Sequence, residues 1–267
     1  MYNRVLAIMN FNRFIYILNK PFKSWKNKYF KYLLYKDCNN HSLYQETIKE
    51  ISDYTGEPVD VVKERSKNLS KENMSWSTAT EEEIISYYKN DSSYLYELPL
   101  WNAERNRGEY IARIIAPYLL KNKVKTVLDF GAGAGDILIA LAKRGFKVTY
   151  TDINSKLIDF VQWRFKRRNL KVDVHCLNED LILPAVDCVV TFDVLEHLED
   201  IPKYIKLFSS ALSDRGVFVF SGAFQGGDSH LEKNEIYNNF KCLDSLLKKN
   251  NLIFYDQFAQ YYFYNKR

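Results

Sequence analysis

The run Val127-Leu128-Asp129-Phe130-Gly131-Ala132-Gly133-Ala134-Gly135-Asp136 constrains this chain more than any other stretch. An apolar, β-branched segment reaches three alternate glycines, and helical patterning from Ile137 to Arg144 follows at once. Glycine lets backbone approach a ligand closely, and the unsatisfied N–H groups of a helix start can face it. A strand, a glycine turn and a helix start therefore predict a nucleotide-type cofactor site. The dinucleotide fingerprint G-x-G-x-x-G would need glycine at 136, where Asp136 stands. The competing reading is an ordinary glycine turn in another doubly wound domain.

After residue 123 the pattern alternates between strand and helix, which predicts a parallel sheet with crossover helices. Strands are expected at 125–130, 147–152, 172–176, 186–192, 216–221 and 252–258, with a weaker one at 261–265. Helices are expected between them at 136–144, 155–169, 201–212 and 235–250. Only Ala259-Gln260 separates the last two strands, so they should form an antiparallel hairpin at the sheet edge. The expected fold is α/β: a doubly wound, Rossmann-like, seven-stranded and mostly parallel sheet with an antiparallel terminal hairpin. An N-terminal helical extension precedes it.

That extension divides in two. Residues 1–40 form a basic, aromatic arm, and residues 41–99 a helical cap, before a core at 100–267. Within the cap, Ile48, Ile51, Val59 and Val62 recur at helical intervals. Thr80-Glu81-Glu82-Glu83 has the form of a capping box. A further helix is expected over about 100–120. Positions 1–36 hold eight Lys and Arg residues and no acidic residue, although the whole chain carries only +5. Charges at Arg4 and Arg13 interrupt the arm's apolar run well short of the roughly 20 residues that span a bilayer. Basic plus aromatic residues suit a helix docked on its own domain, peripheral contact with an anionic membrane, or a nucleic-acid contact. The four cysteines have neither C-x-x-C spacing nor a histidine cluster, which predicts reduced thiols, a cytoplasmic setting and no metal site.

Asp129 through Gly135 spell D-x-G-x-G-x-G, which resembles motif I of the class I S-adenosylmethionine (SAM) methyltransferases. The stretch Val186 to Asp200 resembles a second segment, "D-V-L-E-H-L", of methyltransferases acting on quinones, sugars and other small metabolites, here Asp193-Val194-Leu195-Glu196-His197-Leu198. The resemblance covers roughly residues 100–267. It implies SAM as cofactor, with Asp129, Gly131, Gly133 and Gly135 around the methionine portion. Asp152, with Ile153 beside it, closes the second strand about twenty residues on, where the family binds the ribose. Asp180 with Leu181 would take the adenine, with Glu179 the rival. Asp193 would face the methionine amino group or the transfer path, and Arg105 would pair with the methionine carboxylate.

Transfer from a sulfonium needs alignment and removal of one proton. His230, in the glycine-rich loop after the fifth strand, has the titration range for that base, with Asp228 to orient it. A histidine that merely caps the next helix is the alternative, and His197 reads as structural. No proline follows Asp193, unlike the Asn/Asp-Pro-Pro-aromatic turn of adenine-amine and glutamine methyltransferases. The expected acceptor is accordingly a small molecule of lipid, isoprenoid or sugar type, methylated at oxygen. Methylation of RNA or protein through the basic arm, and a SAM-binding module without catalysis, are the other readings.

Overall fold

In the computed structural model, residues 41–67, 80–175, 177, 182–224 and 230–267 are described. The arm at 1–40, Asp180, Leu181 and Asp228 lie outside them. Among the described residues, five helices precede the sheet: α1 (His41–Thr55), α2 (Val59–Lys67), α3 (Glu81–Asn90), α4 (Tyr94–Glu104) and α5 (Arg107–Lys121). The core then runs β1 (Thr126–Phe130), α6 (Asp136–Ala142), β2 (Lys147–Thr151), α7 (Ser155–Arg167), β3 (Asp173–Val174) and β4 (Val186–Phe192). It closes with α8 (Ile201–Ala211), β5 (Leu212–Ser221), α9 (Phe240–Lys249), β6 (Leu252–Phe258) and β7 (Tyr261–Lys266).

The strands order as β3-β2-β1-β4-β5-β7-β6. β1 to β5 pair in parallel, while β7 pairs antiparallel with both β5 and β6. Strand order reverses beside β1, and open α/β sheets bind ligands at the carboxyl ends of strands at such a point. The expected fold and its terminal hairpin are what the structure shows. No helix among the described residues is long and apolar enough to cross a membrane.

Alternating side chains of the central strands go to opposite faces. Val127, Val190 and Val219 pack under α5 and α6, while Leu128, Val189, Phe218 and Phe220 pack under α8 and α9. Each such side chain contributes about 1.5–3 kcal/mol by leaving water. A third cluster joins α1, α2 and α4 to the core through Phe160 of α7, with Ile48, Ile51, Val62 and Leu95 buried around it. The cap is thereby anchored beside the carboxyl ends of β1 and β2.

Three local readings are corrected. The single helix expected at 100–120 is two, because Asn106 adopts a left-handed φ of 42°. The turn lets Gly108 lie against α6, where a Cβ would stand 2.5 Å from the Asp136 carbonyl oxygen. The strand expected at 172–176 is regular over Asp173–Val174, and Cys176 lies outside the described residues. The helix expected at 235–250 begins as a 3₁₀ segment, Glu232–Asn238, and becomes α-helical only after Asn239 caps it.

Candidate active site

Gly131, Gly133 and Gly135 all have left-handed φ, at 72°, 51° and 73°, so the sequence spells glycine where other residues would be strained. Two of them also leave no space. A Cβ on Gly131 would stand 2.6 Å from Val194 Cγ2, and one on Gly135 would stand 2.8 Å from Val161 Cγ1. The turn is thus pressed between the segment after β4 and helix α7, with Leu98 of the cap over Gly133.

Asp152 organises the turn. One carboxylate oxygen accepts from Gly133 N at 2.8 Å, and the other from Ile153 N at 2.8 Å and Asn154 N at 3.0 Å. Burial pushes its pKa up against these three backbone bonds. Asn154 caps α7 by accepting from Leu157 N, and its amide donates to the carbonyls of Tyr88 and Asp91. This helix cap is therefore also the clip that holds α3 against the site.

Asp129 sits beneath the turn, 2% exposed, and its Oδ2 has no hydrogen-bond partner. Burial raises its pKa to about 8; Arg107 opposes the shift and Asp152 adds to it. A pKa raised in the folded state means stability that is complete below the unfolded value and lost as pH rises through about 8. Asp129→Asn, which cannot ionise, is expected to gain in melting temperature over the unsubstituted, ligand-free protein between pH 5 and pH 8.5. Thermal melts at the two pH values check this; a difference that does not change with pH would overturn it.

At the end of β4, Asp193 takes a left-handed φ of 58°. Ser221 Oγ donates to its Oδ1 at 2.8 Å, and Arg107 donates to its Oδ2. Arg105, expected to serve the site, instead pairs with Glu104 and lies over Trp101 on the surface. The guanidinium turned toward Asp193 and Asp129 is that of Arg107, two residues on. The break at Asn106 starts a new helix; both guanidinium groups lie over the Trp101 ring, and only that of Arg107 goes on to Asp193.

Glu196 and His197 lie in a 3₁₀ turn that follows β4. Glu196 is 1% exposed; Ala223 N donates to its Oε1 at 2.9 Å, while Oε2 has no hydrogen-bond partner. Its backbone carbonyl accepts from Leu231 N at 3.2 Å, which holds Leu231 against the turn. His197 and His230, far apart in sequence, thereby bring their rings to 5.1 Å at 67°. Tyr88 of the cap lies edge-on to His197 at 5.8 Å. Burial raises the pKa of Glu196; the Ala223 N–H opposes the shift, Asp193 adds to it and His230 opposes it. One ligand atom from each of Glu196, His197 and His230 lies within 4.8 Å of the others. Two imidazoles and a carboxylate are a donor set that suits a borderline divalent ion. Residue spacing alone pointed to no such group.

The family model of the methyltransferase domain matches residues 103–262. The chain belongs to this family. Together with the sheet order, the match makes it a class I methyltransferase that uses SAM. Among similar curated proteins are ubiquinone biosynthesis O-methyltransferases. That of Coxiella burnetii is 30% identical over 102 residues, covering 37% of this chain and 44% of the relative. That of Pelagibacter ubique is 26% identical over 131 residues, covering 46% and 55%. The methyltransferase chain thus spans about half the length of the curated relatives it matches. A solved magnesium protoporphyrin IX methyltransferase from Synechocystis with bound SAM has 16% identity and a TM-score of 0.49, over 71% of this chain and 99% of that one.

Proposed function

We propose that this methyltransferase transfers the SAM methyl group to an oxygen of a small-molecule acceptor of lipid, isoprenoid or sugar type, in the cytoplasm. The observation that carries the reading is the convergence of His230 and His197 on Glu196, which itself lies beside Asp193, after β4 and β5. The names of the curated relatives support methylation at oxygen.

The residues present suit the donor. The turn at Gly131, Gly133 and Gly135 presents backbone without side chains, which would let the methionine portion approach it closely. Asp129 and Arg107 would face its charged end. Asp152 uses three of roughly four acceptor positions on the turn and can take a ribose hydroxyl with the remainder. Asp180 and Leu181 remain the proposed adenine contacts. SAM supplies a methyl group already activated on a sulfonium.

The protein's share is to hold the acceptor oxygen in line and to receive its proton. His230 is the proposed base, with the Glu196 carboxyl group beside it. Asp193 is held by Ser221 and Arg107, and so fixes the wall of the transfer site. Tyr88, on α3, borders the acceptor side next to His197. The N-terminal arm is the proposed route to a membrane-borne acceptor.

The test is calorimetric binding of S-adenosylhomocysteine, followed by transfer of labelled methyl from SAM to phenolic lipid and sugar pools. Binding and label in a small-molecule product are expected. Label appearing only in RNA or protein, with a steep loss on added salt, would replace the acceptor assignment. Binding without transfer to any pool would favour a non-catalytic module.

A further inference from the structure

Residues 41–99 precede the stretch that the family model matches, yet one of their side chains is wired into the glycine turn. Glu50 of α1 and Arg164 of α7 form an ion pair with only 6% and 4% of their side chains exposed. Arg164 Nε donates to Glu50 Oε2 at 3.1 Å. The same guanidinium donates to the Ala134 carbonyl at 2.5 Å and to Asp136 Oδ1 at 2.8 Å. Asp136 Oδ2 in turn accepts from Asn102 of α4 at 2.9 Å. Arg168 reaches the other oxygen of Glu50.

We propose that Glu50 is a positioning residue for the methyl donor, acting through Arg164 on the peptide between Ala134 and Gly135. That peptide leads into Gly135, whose left-handed φ of 73° is adopted without a side chain to restrict it. Gly135 N is held to the Ala132 carbonyl at 2.9 Å, and the Ala134 carbonyl is held from the far side by Arg164. A guanidinium presents several donors in a rigid plane, so the acceptor on one edge fixes where the other edges point. Glu50 is that acceptor. Without it, Arg164 is a buried cation with one counter-charge fewer, and such a group relocates toward the charge that remains. Here that charge is Asp136, at the first residue of α6, and the pull on the Ala134 carbonyl shifts with it. The cap therefore sets the form of the donor turn as well as covering the site, and the inference rests on reading this turn as the donor's cradle.

The experiment uses the full chain, S-adenosylhomocysteine as the probe, and two substitutions on α1. Glu50→Gln keeps the shape and removes the charge. Asp53→Asn breaks the exposed Asp53–Arg167 pair between the same two helices without touching Arg164. Glu50→Gln is expected to raise the dissociation constant roughly tenfold, as a second-layer change at a binding site does. It is also expected to speed amide exchange in the peptide carrying residues 131–139. Asp53→Asn should leave both unchanged.

Unaltered binding in Glu50→Gln would overturn the proposal. Equal weakening in both variants would also overturn it, because docking of α1 in general would then be responsible. Should Glu50→Gln fail to fold, Glu50→Asp retains the charge and draws it back by one methylene; it must weaken binding and speed the same exchange. If the unsubstituted protein does not bind the probe, the donor-turn reading fails instead.

Discussion

Asp152→Asn is expected to weaken S-adenosylhomocysteine binding at least a hundredfold while leaving the protein folded. The carboxylate accepts three backbone N–H bonds, from Gly133, Ile153 and Asn154. An asparagine has the same size but only one accepting oxygen, so its amide must point donors at one of these N–H groups. Turning the amide toward Gly133 opens the glycine turn, and turning it toward Ile153 and Asn154 disturbs the start of α7. Leaving a buried donor unsatisfied costs about 1–3 kcal/mol. Loss of the proposed ribose contact adds to that, and each 1.4 kcal/mol is tenfold in affinity. Calorimetry with circular dichroism on the same sample checks it. Binding within a few fold of the unsubstituted protein would remove Asp152 from the donor site.

His230→Ala is expected to lower kcat by 10²- to 10⁴-fold, the usual range for loss of a general base. Donor binding should stay within twofold, because Asp152 is held by the backbone of Gly133, Ile153 and Asn154. The matched control is His197→Ala. His197 packs between Tyr88 and His230, so its removal should raise the acceptor KM more than it lowers kcat. The geometry also provides a sharper separation. If Glu196, His197 and His230 hold a divalent ion, chelation will abolish turnover and added Zn²⁺ or Fe²⁺ will restore it. If His230 is the base, chelation leaves turnover unchanged and the acid limb of the pH–rate profile disappears in His230→Ala. A variant that keeps full kcat removes His230 from proton transfer altogether.

Much of the architecture was legible because it is written in short-range signals. The glycines of the turn carry the left-handed backbone that their spacing implied. The capping box at Thr80 is present in both directions, with Glu83 accepting from Thr80 N at 2.8 Å and Glu83 N donating back at 3.2 Å. The two-residue connection Ala259-Gln260 does join β6 to β7 as an antiparallel hairpin. Apolar alternation in β1, β4 and β5 places the core on both faces of the sheet. Periodicity, turn chemistry and capping each act over a few residues, and the order of residues displays them directly.

The partners of the polar groups were decided elsewhere. Arg107 rather than Arg105 meets Asp193 because Asn106 breaks a helix that apolar periodicity reads as continuous. His197 meets His230 because the Glu196 carbonyl accepts from Leu231, next to His230 and beyond a different strand. Glu50 reaches Arg164 because Ile48 and Ile51 bury the cap on Phe160 and carry the carboxylate with them. In each case the two groups lie far apart in the chain. The sequence by itself determined the sheet, the glycine turn and the methyltransferase family, through patterns that repeat within one element. Only the tertiary structure decided which charges meet, because crossover connections and helix packing set the distance between groups on different elements.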